Sequence, residues 1–297
     1  MAIAKGNISV EAPQFKRYIG VANCAVKGVN PSKKEMEELY NISLDKDPVY
    51  VSEVEVEGVK VPNARITFAV KPVLKDDSED IPMQSHTLFI QKRYRYNRDK
   101  TKVQVIDKYG RTAWVTIDQC KNHEIPVYSN GPANLDKDYR PAYVGEEELT
   151  DFLIKYLNIP SPMKYNQEEK KWYMVNNPED SVCRLDHIED YFKGDVSEVI
   201  SAINLQPANK VKILFGVKTG NEGKQFQTTF TQMVLKPSTS DYSKLDAFVQ
   251  ERKNAGAYST TEFEATDIHE YTVKSTPLTD NTVDPFATTS SGTNPWD

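Results

Sequence analysis

The densest chemistry in the chain lies at residues 92–102, KRYRYNRDKTK. Lys92, Arg93, Arg95, Arg98, Lys100 and Lys102 meet a single carboxylate, Asp99, so six cations and one anion leave a net +5 over eleven residues. Tyr94 and Tyr96 interleave with the arginines. On an extended strand, alternation puts Arg93 and Arg95 on one face and Lys92, Tyr94 and Tyr96 on the other. A single nucleic-acid strand requires this mixture: cations along the phosphates, and flat rings on which bases stack at about 1–3 kcal/mol each. A charged edge strand guarded against aggregation has a similar composition. Lys108, Tyr109, Arg111 and Trp114 carry the pattern through the next turn. A later hairpin, 211–236, adds Lys218 and Lys224 beside Phe215, Phe226 and Phe230, rings that would serve equally well as core.

The charge balance singles out a second segment. The 297 residues carry a formal net charge of -6. Between Ser259 and Asp297 there are seven acidic residues and one basic residue, Lys274, so this stretch holds the whole excess and the preceding 258 residues are neutral. It is rich in Thr, Ser, Asp and Asn, with too little apolar material to fold alone past about Ser275. It carries Asp284 and Phe286 in VDPF and ends in NPWD, with Trp296 next to Asp297. An acidic spacer with aromatics beside carboxylates suits capture by a basic-rimmed apolar pocket on another protein.

Other chemistries find less support. Cys120-x2-His123 and Cys183-x3-His187 form a set that zinc accepts, but about 60 residues separate the pairs and no short loop joins them. Cys120 reads better as a small buried hydrophobe, so neither a metal nor a cofactor is expected. The phosphate-loop, nucleophile-elbow and H-E-x-x-H patterns are absent, and the acidic loop KDDSEDIP reads as solvated surface, so the chain is not expected to be an enzyme. Three widely spaced cysteines do not make a disulfide framework, and MAIAKGNISVEAPQ contains no apolar signal region. A reducing, cytoplasmic setting with no membrane span is the expectation.

The elements that must position these residues follow from periodicity. Ser32 and Glu35 have capping-box spacing ahead of a short helix with Met36, Leu39 and Tyr40 on one face. Val-rich runs over 48–74 and the segments HTLFIQKRYRY, TKVQVID and RTAWVTI read as strands, with turns at Asn97–Lys100 and Lys108–Gly110. Residues 121–145 read as an ordered loop. Leu149, Phe152, Leu153, Tyr156 and Leu157 give 146–157 a helical stripe. Two further helices fall near 185–193 and 195–204, and another at 241–253. Strands, a helical stretch and a closing hairpin are the order of an OB-fold. The expected class is therefore α+β and mainly β: an OB-like Greek-key barrel over residues 1–258. A helical insertion at about 146–204 would lie between strands 3 and 4, and a disordered acidic tail would occupy 259–297.

Together, KRYRYNRDKTK, DKYGRTAWV, YSNGPANLDKDYRPAYVGEEEL, the helix ending YLNIP and the tail ending NPWD make the chain resemble the single-stranded-DNA-binding proteins of tailed bacteriophages. The resemblance spans residues 15–236 plus the tail. It implies an OB-fold core, binding to single strands without sequence preference, and contacts with replication or recombination proteins through the tail, in the host cytoplasm. Self-association stays open. The rival reading is a virion-associated or structural protein whose basic strand grips packaged genome or other capsid components.

Overall fold

The structure, a computed structural model, describes residues 14–73, 82–108, 110–124, 135–160, 163–174, 185–219, 225–254, 261–262 and 272–277. The chain is mainly β, with a strongly curled antiparallel sheet and a few helices. In chain order the elements are β1 (Gln14–Val29), α1 (Lys33–Tyr40), β2 (Val51–Val56), β3 (Val59–Val73), β4 (Gln84–Tyr94), β5 (Lys102–Ile106), β6 (Thr112–Thr116) and α2 (Ile117–Lys121). There follow β7 (Arg140–Pro141), β8 (Tyr143–Val144), α3 (Glu146–Tyr156), β9 (Met163–Asn166), β10 (Lys171–Met174), α4 (Ile188–Tyr191) and α5 (Ser197–Leu205). The last are β11 (Lys210–Thr219), β12 (Gln225–Leu235), α6 (Ser243–Asn254), β13 (Thr261–Glu262) and β14 (Thr272–Pro277). The large sheet is hydrogen-bonded in the order β12-β11-β1-β3-β4-β8, with β2 beside β3, β13 beside β11 and β14 beside β1. A three-stranded sheet, β6-β5-β7, and the pair β9-β10 complete the strands.

Contacts divide the chain into two compact units, and β1, β11 and β12 contribute residues to both. The larger comprises Asn23–Ile213 and Thr229–Ser240. Its core forms where alternate residues of β3 (Ile66, Phe68, Val70) and β4 (Leu88, Ile90) turn the same way and are sealed from solvent. Helix α3 buries Leu149, Phe152, Leu153 and Tyr156, and Phe152 stacks on Phe68 (4.2 Å between centroids) and on His86 (5.3 Å). A second cluster, Val103, Val105, Val115, Leu135 and Tyr139, packs at β5 and β6. The opposite face of β3 and β4 is partly taken up by α1. There Ser32 and Glu35 form the expected capping box, and the hydroxyl of Tyr40 bonds that of Ser85 at 2.7 Å.

The segment expected to be helical, 146–204, holds α3, α4 and α5, but also the hairpin β9–β10. MKYN and KWYM flank a polar turn in which Lys170 takes φ +52°, and aromatic residues around such a turn favour paired strands over a helix.

The smaller unit comprises residues up to Ala22, Leu214–Thr228 and Asp241 onward. In it β14 pairs with β1 from Gln14↔Pro277 to Ile19↔Thr272, so Thr272–Pro277, within the acidic segment, contributes a strand. Within the described residues no helix is long and apolar enough to cross a membrane.

Candidate nucleic-acid interface

Strand β4 leaves the core at Ile90 and continues into a hairpin. The amide of Asn97 donates to the carbonyl of Lys102, Tyr96 bridges Val103, and Lys100 takes φ +53° at the tip. Asn97 Oδ1 accepts from the Lys102 amide (2.7 Å), which explains why an Asn opens this turn. Exposure alternates along the run. Lys92, Tyr94, Tyr96 and Arg98 face solvent, while Arg93, Arg95 and Asn97 are half-buried. Lys100 and Lys102 are exposed at the tip and at the start of β5.

The cations are not equivalent. Lys92 pairs with Glu189 of α4 at 2.7 Å and lies over the Phe192 ring. Arg95 meets Glu147 at 2.6 Å and Glu148 at 3.8 Å. Lys100 meets Glu57, in the β2–β3 turn, at 2.6 Å. Lys108 pairs with Asp136 at 2.9 Å, and Arg111 clamps the buried carboxylate of Asp107 at 2.6 Å. The cation–carboxylate contacts hold Glu189 and Glu57 below the ordinary glutamate range. Among the described residues, Arg93, Arg98 and Lys102 have no carboxylate at ion-pair distance, although Glu57 feels the field of Arg93. The local net charge is therefore far below the +5 read along the strand, and a phosphate at Lys92 or Lys100 has to displace a glutamate.

The rings differ as well. Tyr94 stacks on Tyr143 of β8 (5.5 Å, 26°), and the Tyr143 hydroxyl is held by Glu189, so one face of Tyr94 is already covered. Burial and then Glu189 push the Tyr143 phenol upward, keeping it protonated. Trp114 is half-buried beneath the Arg95 guanidinium, 5.9 Å from its ring. Tyr96, 46% exposed, has no ring partner among the described residues. Beside the hairpin an open cleft of about 420 Å³ is lined by Arg95, Thr112, Glu147, Glu148, Asp151 and Thr231. Three carboxylates against one arginine repel phosphate from it.

No known protein family, curated protein or solved structure matches this chain.

Other expected site residues are placed elsewhere. Lys218 sits in the smaller unit, on β11 opposite Thr261. Tyr109, Lys224, Cys183 and the tail residues Asp284, Phe286, Trp296 and Asp297 lie outside the described residues, as does most of the loop KDDSEDIP. His187 lies 3.9 Å from Asp190, and His123 lies beside the Tyr139 ring. No group of metal-ligating side chains forms among the described residues. The glutamates that answer the basic run come from 43 or more positions away in sequence, so no local pattern marks them.

Proposed function

We propose that this chain binds single-stranded DNA without sequence preference. In this reading it is an OB-like accessory of phage-type replication and recombination and not an enzyme, and its acidic tail recruits partner proteins in the host cytoplasm. The observation that carries the proposal is the exposed ladder Lys92, Tyr94, Tyr96 and Arg98 at the open end of β4, with Tyr96 free to stack. Lys102, beside Tyr96 across the Tyr96↔Val103 bridge, and Arg93 supply further charge. Such a strip holds any base sequence, because every base has a π-face and every nucleotide a phosphate. Lys92 and Lys100 join it when DNA displaces Glu189 and Glu57.

Titrating a dT oligonucleotide and following intrinsic Tyr and Trp emission tests the reading. Binding should weaken steeply with salt, at about 0.7 log units per phosphate contact. Changing Arg93, Arg98 and Lys102 together to Ala should lower that slope by about 2. Tyr96→Ala should cost about 1 kcal/mol or more and leave the slope unchanged. Absence of binding at low salt would overturn the proposal and favour the virion-associated reading.

A further inference from the structure

Arg65 is a half-buried arginine without an anionic partner among the described residues. Its side chain makes no ion pair or hydrogen bond with any described residue, and Nε is buried with no partner. Its electrostatic neighbours are the hydroxyls of Tyr40 and Tyr50, phenols that burial keeps protonated. A desolvated guanidinium left unsatisfied is costly, and native structures retain such groups where something else satisfies them.

The pairing register shows what surrounds it. Arg65 lies directly across from Phe89, and Asn63 across from Gln91, so these four share one face, joined by Arg93, whose Nε donates to Gln91 Oε1 at 2.6 Å. Phe89 is 51% exposed although its neighbours Leu88 and Ile90 are sealed in the core. Asn63, 5% exposed, keeps a buried Oδ1 with no partner. On β2, Ser52 pairs with Asn63 and joins this face, whereas Glu53 and Glu55 fall on the other. Strands β2 to β4 thus place two arginines and a bare ring on a surface to which they contribute no acid. Of the nearby carboxylates, Glu35 is engaged by Ser32 and Glu57 by Lys100.

We propose that this face of β3 and β4 is a second contact for the same single strand. It takes one nucleotide, with the base on the Phe89 ring and the phosphate between Arg65 and Arg93. The inference rests on the DNA-binding reading and extends the strand's path past Arg93, the residue next to both surfaces. Charge complementarity selects the occupant: an anionic, ring-bearing chain meets two arginines with no carboxylate partner among the described residues, and stacking meets an exposed phenyl group.

Two substitutions in the full chain test it. Phe89→Trp places a reporter at an already exposed position. Adding a dT oligonucleotide at low salt should quench its emission beyond that of the parent protein. Arg65→Met keeps the stem and removes the charge. It should weaken oligonucleotide binding about fivefold to tenfold and lower the salt slope by about 0.7, while Arg65→Lys restores the slope. If the parent binds but F89W shows no extra quenching, or R65M keeps the parental slope, the second contact is wrong and the DNA-binding reading stands. If the parent does not bind, both fall. Quenching of F89W by the mononucleotide dTMP but not by the oligonucleotide would also overturn the proposal. Should R65M fail to fold by circular dichroism, the F89W titration decides alone.

Discussion

His86 illustrates how burial alone sets the chemistry of a residue. It is enclosed by Phe68 and Phe152, bonds the Thr229 hydroxyl at 3.0 Å, and burial pulls its pKa down to about 3. The folded protein therefore leaves it neutral across the range in which the unfolded chain protonates it, near pH 6.5. Below that pH the unfolded state binds more protons, so stability falls with acidification until about pH 3. The slope from this residue approaches about 1.4 kcal/mol per pH unit. Urea midpoints between pH 6.5 and 5 should drop for the parent and much less for His86→Phe. Equal slopes would refute the assignment. Gly145 is as constrained: at φ +89° a Cβ would sit 1.8 Å from the carbonyl oxygen of Phe89. Gly145→Ala should cost about 3 kcal/mol or more in urea unfolding, since backbone has to move.

Elements meet through carboxylates that cross between them. Glu146, fully buried at the start of α3, receives both Nη atoms of Arg140 (3.0 and 2.5 Å) and the amide of Tyr143, locking α3 to β7 and β8. Glu146→Ala takes the carboxylate from Arg140, leaving it the Leu185 carbonyl and solvent, and should cost about 1–3 kcal/mol, read from the denaturation midpoint. Glu57 and Glu189 act at a more exposed level, on Lys100 and Lys92. If DNA uses those lysines, the glutamates compete with phosphate. Removing both charges, in Glu57→Gln with Glu189→Gln, should tighten oligonucleotide binding at low salt, because the glutamates no longer compete with phosphate for the two lysines. The gain should vanish at high salt. Unchanged affinity for the double variant would mean that phosphates never reach Lys92 and Lys100.

At the scale of the whole molecule, the charge is divided between a neutral body and an acidic end. Strand β14 anchors Thr272–Pro277 on β1, so truncation after Pro277 spares that pairing while removing Asp280, Asp284 and Asp297. A tethered anion has an effective concentration on the order of millimolar near its own body. The truncated protein should bind DNA more tightly than the parent at low salt, with the difference shrinking as salt is added. Trp296→Ala, which removes no charge, should leave DNA affinity unchanged and lose recruitment of a replication partner in a pull-down. A truncation that gains no affinity rules out competition by these carboxylates, and one that still recruits the partner rules out the hook.

Local physics was legible without coordinates. The capping box of Ser32 and Glu35, the α3 stripe, the turn at Asn97 and the alternation of Tyr94 and Tyr96 all depend on residues within a few positions of one another. The strand period also marks Phe89 as out of phase with the buried Leu88 and Ile90, a clue available from HTLFIQKRY alone. The electrostatics were not legible. Which cations stay open depends on Glu57, Glu147 and Glu189, brought to the basic run by chain reversals that have no period in sequence. The isolation of Arg65 is equally non-local, because it arises from the register that puts Phe89 opposite it and sends Glu53 and Glu55 to the other face. A strand's own alternation comes from its backbone geometry, whereas charge is settled by neighbours, and only the folded sheet chooses those.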